Sequence, residues 1–249
     1  MNFARLVEAV YLGWIGTEAL AALGFAFPIT ITLFAFAGGI GTGASSVIAR
    51  SVGSGDGERA AMLVTHAQLL VLVVGSVIGL LGFFYAETVI SALGATGQVR
   101  ELAVDYLTVY MLGFPLFMLS MVGSTLLRAT GRAASPGIVM TTGSVLQMAF
   151  GPVLIFGWFG LPALGIAGAA WAYVLSRVFS VTIYLALLVR ARMIRRSVKG
   201  FWQSFVAIVH VGGPATASGL IQPVSMLIIT RLLAAHGHEV VAGYNVAMR

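Results

Sequence analysis

Apolar residues run along the chain in long uncharged blocks, each bounded by charge. Residues 19–49 lie between Glu18 and Arg50, 60–86 between Arg59 and Glu87, and 106–127 between Asp105 and Arg128. The block 133–176 is long enough for two spans, and Gly157-Trp158-Phe159-Gly160-Leu161-Pro162 supplies the turn between them. The second of these continues past Arg177 to Val189, and residues 200–230 form a further block. A helix needs about 20 apolar residues to cross roughly 30 Å of hydrocarbon, so each block predicts a transmembrane helix. Barrel strands would read as short alternating segments, which these are not. The expected fold class is an all-α membrane protein. The two ends break the count. Residues 1–14 are apolar but too short to span, and 242–249 open another apolar stretch, so both read as partial spans.

The polar connections alternate in sign. Numbering the 1–14 segment as the first helix, the loop after the second holds Arg50 and Arg59, and the loop after the fourth holds Arg128 and Arg132. The loop after the sixth holds Arg190, Arg192, Arg195, Arg196 and Lys199. The other loops hold Glu18, Glu87, Glu101, Asp105 and Glu239, with Arg100 and Arg231 as the nearby basic residues. Basic loops stay on the cytoplasmic side, which assigns 50–59, 128–136 and 190–199 to the cytoplasm of a multi-pass protein of the cell (inner or plasma) membrane. Composition agrees: 59% of the 249 residues are hydrophobic and 9% charged, with a mean hydropathy of +1.00. A soluble domain carries nearer a quarter of its residues charged. The net charge of +6 could suggest nucleic acid, but its placement in alternate loops makes it topological. There is no cysteine, hence no disulfide framework or thiolate metal site. No secretory signal is visible, because the first stretch carries Glu8 and leads into more spans.

The basic run 190–199 is the most polar connector. It divides an expected N-terminal lobe, 1–196, from the start of a second, 197–249. An internal repeat supports that division. Residues 16–26 lie over 237–247, with the Gly, Glu and two Ala positions identical, both at an outer turn between an odd and an even helix.

Several segments, in order, resemble the multidrug and toxic compound extrusion (MATE) transporters. Residues 7–28 are similar to the end of that family's first helix and the start of its second. Gly41-Thr42-Gly43-Ala44 through Arg50, then Gly53-Ser54-Gly55-Asp56, resembles the end of its second helix and the following loop. Leu127-Arg128-Ala129-Thr130-Gly131 resembles its fourth-helix exit, and Leu164-Gly165-Ile166-Ala167-Gly168-Ala169-Ala170 the entry to its sixth. The resemblance implies a six-helix lobe plus the first helix of a second, out of twelve helices in two lobes around a central cavity. It implies exchange of H⁺ or Na⁺ for organic cations and other amphipathic compounds, with no cofactor beyond the coupling ion, and a monomer in the bilayer.

Glu8 lies in an apolar run. An ionised carboxylate there is costly, while the protonated form is tolerable, so it invites H⁺, Na⁺, a cationic substrate or an Arg. The resemblance implies an aspartate at this point, so Glu8 keeps the charge on a longer arm. Where many prokaryotic members have asparagine and aspartate, this chain has Gln147 and Gly151, and Tyr173 replaces a common threonine. Gln222 stands where one branch, near Pro214, uses a glutamate. A carboxylate pair sharing a proton is therefore missing, and coupling falls to Glu8. Arg177 lies one helical turn beyond Tyr173 on the same face. Its partner is either Glu8 or Gln147, or else it serves packing alone. Pro28, Pro115, Pro152, Pro214 and Pro223 fall within spans, where a missing donor kinks a helix, as at hinges and cavity walls. Gly39 with Gly43, Gly75 with Gly79, and Gly165 with Ala169 are spaced for close helix approach. His66 and His210 have no metal-binding spacing.

These observations point to a secondary transporter exporting organic cations or drugs. A related flippase for lipid-linked sugars would need several deep basic residues, and Arg177 is the one expected at depth. A non-transporting scaffold fits poorly with an acid and an arginine among the spans. No catalytic or metal-site spacing marks an enzyme.

Overall fold

The computed structural model describes residues 2–131, 134–195, 197, 199–235 and 237–247. Arg132 and Arg196, counted among the basic connections, lie outside the described residues. The described residues form α1 (Asn2–Ile15), α2 (Thr17–Gly53), α3 (Gly57–Ala92), α4 (Gly97–Leu112), α5 (Phe114–Ala129), α6 (Ala134–Phe156), α7 (Gly165–Arg190), α8 (Phe201–Ala234) and α9 (His238–Ala247). A single 3-10 turn over Trp158–Gly160 joins α6 to α7. Gly157 enters that turn at φ 73°, where a Cβ would strike the backbone of Leu161 and Ala163.

Five of these helices are long and apolar enough to cross a membrane, and α4 with α5 makes a sixth, bent span. The 37 residues of α2 are about 55 Å long at 1.5 Å per residue, well beyond the hydrocarbon, so the helix tilts or projects into water. Large apolar side chains point outward along α3 (Val73, Val77, Leu80, Leu81, Phe84) and α8 (Ile221, Ile228, Leu232), which is a lipid-facing surface and not a water-facing one. The chain is an all-helical membrane protein.

The block 106–127 is one place where the hydrophobic pattern misleads. It is not one straight helix: α4 and α5 meet at Gly113 with a bend of 53°. Pro115, at the start of α5, lacks the N–H that would bond the Met111 carbonyl one turn back. That freed carbonyl turns toward α3, 2.7 Å from where a Cβ on Gly79 would stand. Proline and glycine thus act as a pair across two helices. Pro28, Pro152, Pro214 and Pro223 sit inside continuous helices.

Small residues set the packing. Gly39 and Gly43 of α2 face Thr216, Ile208 and Gly212 of α8, with backbone against backbone. Gly75 meets Pro115 and Met118. The third expected pair is displaced: Gly165 has open space around it, and it is Gly168 whose Cα presses on the Leu154 backbone of α6. Helix α2 is the centre of the bundle, touching α1, α3, α4, α5, α8 and α9. Gly16 and Gly237 each precede the helix start by one residue, and Glu18 and Glu239 fall in the first turns of α2 and α9. The two copies of the sequence repeat therefore open helices in the same way.

At the end of the bundle carrying the basic connections, Arg195, Ser197 and Ser204 are tied to α3. His66, 2% exposed, holds Ser204 Oγ at 2.8 Å and the Ser197 carbonyl at 2.9 Å. A carbonyl only accepts, so Nε2 carries the proton that faces Ser197. Arg195 adds its backbone N–H to Thr65 Oγ1 (2.9 Å) and a 3.2 Å ion pair to Glu58.

Candidate functional site

Four of the expected site residues converge. Glu8 on α1, Gln147 on α6, and Tyr173 and Arg177 on α7 line one cavity among α1, α2, α4, α6 and α7. Its open space is about 30 Å³, room for about one water molecule. On α6 and α7 these side chains sit among buried residues that are mostly apolar, such as Val139 and Ile155 on α6 and Ala169, Ala170 and Val174 on α7.

Tyr106 Oη donates to Glu8 Oε1 at 3.0 Å, and Gln147 Nε2 donates to Oε2 at 3.4 Å. The carboxylate thus accepts at both oxygens. From Tyr106 a ladder of rings leads inward. Tyr106 stacks on Tyr110 at 6.1 Å between centroids, and Tyr110 on Tyr173 at 4.8 Å. Tyr110 Oη also donates to Tyr173 Oη at 3.3 Å. The ladder ends at Arg177, whose Cζ lies 5.1 Å from the centre of the Tyr173 ring, within reach of a cation–π attraction. Arg177 is 6% exposed and its Nε is buried without a hydrogen-bond partner. Carboxylate and guanidinium are therefore linked by three aromatic rings.

The sequence reading missed Arg5, Tyr106 and Tyr110. Arg5 lines the same cavity, so the expectation that Arg177 is the one deep basic residue does not hold. A signal existed: Arg5 and Glu8 are three apart on one helix and share a face. The two tyrosines had none, since their place depends on α4 packing against α7, far apart along the chain. Gly151, where the family resemblance leads one to expect an acid, carries the Tyr11 ring in that space, 3.1 Å from a would-be Cβ. Of the expected hinge and cavity residues, Pro28 is buried beside the cavity residues Phe27 and Thr30, Pro115 sits at the α4–α5 break, and Pro152 is half-buried in α6. Pro214 and Gln222 are exposed on α8 and do not line the cavity. Among the described residues no group of His, Asp and Glu is placed to hold a metal ion.

The MatE family profile matches residues 1–153, covering α1 to most of α6. The chain belongs to the MATE family. An FAD transporter of Shewanella oneidensis is 33% identical over 98% of this chain and 55% of its own length. A probable multidrug resistance protein of Bacillus subtilis is 27% identical over the same shares. Among solved structures, the inward-facing conformation of a multidrug resistance MATE family transporter of the MOP superfamily superposes with a TM-score of 0.88 at 28% identity, covering 99% of this chain and 56% of that one. This MATE chain thus spans about half the length of the curated relatives it matches. The family profile takes in Arg5, Glu8, Tyr106, Tyr110 and Gln147, while Tyr173 and Arg177 lie in the region shared with the transporter relatives.

Proposed function

We propose that the protein is a secondary exporter of organic cations and related amphipathic drugs, driven by H⁺ or Na⁺ through Glu8. The observation that carries this reading is the placement of one carboxylate, held by Tyr106 and Gln147, in a cavity with two guanidiniums and no second acid. With Glu8 ionised, the cavity offers one anionic point to a cation. When H⁺ or Na⁺ takes that point, Arg5 and Arg177 stand unopposed and repel an organic cation, so the two occupants exclude one another. Mutually exclusive occupancy of one site is what exchange requires. The multidrug names of several relatives support the substrate class. The charge placement of the connections supports the plasma (inner) membrane with 50–59, 128–136 and 190–199 facing the cytoplasm.

The test is efflux of a fluorescent organic cation by the whole protein in proteoliposomes, with H⁺ and Na⁺ gradients imposed separately. Glu8→Gln keeps both hydrogen-bonding neighbours but removes the titration, and it abolishes gradient-driven exchange. Glu87→Gln, altering an exposed carboxylate paired with Arg100 at 3.7 Å, leaves exchange unchanged. Exchange at the wild-type rate in Glu8→Gln sinks the proposal.

A further inference from the structure

Arg177 lines a second cavity, between α2, α5, α6 and α7, that Glu8 does not reach. Its volume is about 120 Å³, close to the roughly 150 Å³ of an engineered cavity that admits benzene. Phe34, Phe117, Met121 and Met140 give it apolar walls, and Arg128 and Arg177 bring two guanidiniums. No acid is among its lining residues.

Thr125 and Tyr184 donate to backbone carbonyls, but three other donors at this cavity lack a strong acceptor. Arg177 Nε is buried and unpaired. Ser120 lines the space, is 4% exposed and makes no hydrogen bond to a described residue. Ser124 Oγ spends its hydrogen on Met140 Sδ at 3.6 Å, a weak acceptor. An unpaired buried donor is costly, and a guanidinium held away from water without a counter-charge more so. A cation would meet two like charges here and no acceptor-rich wall. An anion would satisfy Arg177, Ser120 and Ser124 together while its body displaced solvent from the Phe and Met surface.

We infer that this cavity is an anion-binding site, separate from the Glu8 cavity, that takes a carboxylate carried on a single aromatic ring or an apolar body of that size. Arg128, exposed near the end of α5, is the group an incoming acid meets first, and Arg177 receives it at depth. Recognition is by charge and ring together: the guanidiniums select the oxyanion, and the Phe and Met walls select the apolar body.

The test is equilibrium binding to the purified whole protein in detergent, with no gradient, so it does not depend on transport. The probes are benzoate, benzylammonium (the same ring with opposite charge) and inorganic phosphate (the oxyanion without the ring). Benzoate binds saturably and at least tenfold more tightly than either of the others. Arg128→Gln weakens benzoate binding tenfold or more, Arg177→Lys weakens it less, and Arg100→Gln has no effect. Glu8→Gln leaves benzoate binding in place even as it stops exchange, so failure of the coupling reading and failure of this site are separately visible. Absence of benzoate binding, equal binding of benzoate and benzylammonium, or unchanged binding in Arg128→Gln overturns the assignment.

Discussion

Replacing Gly43 by alanine tests the packing that seats α8 on α2. A Cβ at Gly43 would lie against the Ile208 carbonyl, 2.7 Å from Gly212 N and 2.8 Å from Gly212 Cα. All three are backbone atoms, so no side chain can swing away, and α8 must retreat by more than half an ångström to restore contact distances. Overpacking of this kind costs about 1–3 kcal/mol. Alanine in a helix interior gives back about 0.5–1 kcal/mol over glycine, leaving a net loss of up to about 2.5 kcal/mol. At about 2–4 °C per kcal/mol for a chain of this size, Gly43→Ala lowers the detergent-solubilised melting temperature by up to about 10 °C. Gly13→Ala is the control: that glycine has nothing within 4 Å of a would-be Cβ, so the variant keeps the propensity gain and melts at or above the wild type. If both variants melt together, in either direction, the close approach of α2 and α8 is not what determines their stability.

Other consequences can be checked as directly. Asp56 caps α3 by accepting the Arg59 N–H at 3.0 Å, and Asp56→Ala costs about 1 kcal/mol, read as a lowered melting temperature that Asp56→Ser restores. His66→Ala leaves the Ser197 carbonyl without its His66 donor, a loss of about 1–3 kcal/mol; trypsin then cuts the 190–199 segment faster, about tenfold for each 1.4 kcal/mol lost, while a cutting rate equal to wild type refutes the tie. Tyr106→Phe removes one of the donors held by Glu8, worth about 1.5–3 kcal/mol when the acceptor is charged; gradient-driven exchange slows by about tenfold or more, and a wild-type rate counts against the Tyr106–Glu8 contact as part of the coupling site.

How much of this was legible in the sequence follows from what each feature depends on. The helices show because lipid demands unbroken apolar runs, and Glu8 and Arg177 show because charge inside such runs is rare. Tyr173 and Gln147 were found by resemblance, and their convergence needed no more than helix periodicity. Arg5 was overlooked because the opening segment was weighed as a span too short to cross and not as a helix face. Tyr106 and Tyr110 depend on α4 packing against α1 and α7, contacts between segments far apart along the chain. The same limit applies to Gly168: spacing alone cannot distinguish a glycine that touches a neighbour from one three residues earlier, Gly165, that touches nothing. Gln222 was placed by analogy with one branch of the family and Pro214 by its position within a span, and both are exposed on α8.

The glycine face of α2 also has a history within each molecule's synthesis. Gly43 leaves the ribosome about 165 residues before its partner Ile208, and at about 5–20 residues per second that is a wait on the order of 10–30 s. The stripe on α3 at Gly75 and Gly79 waits far less, since Pro115 follows within a few tens of residues. During its wait α2 presents bare backbone to the bilayer, where any other helix with small residues at the same spacing could dock in the place reserved for α8. This late-closing seam is therefore a step of assembly open to mispairing, and a point at which an insertion chaperone or a slowed codon run would raise the yield.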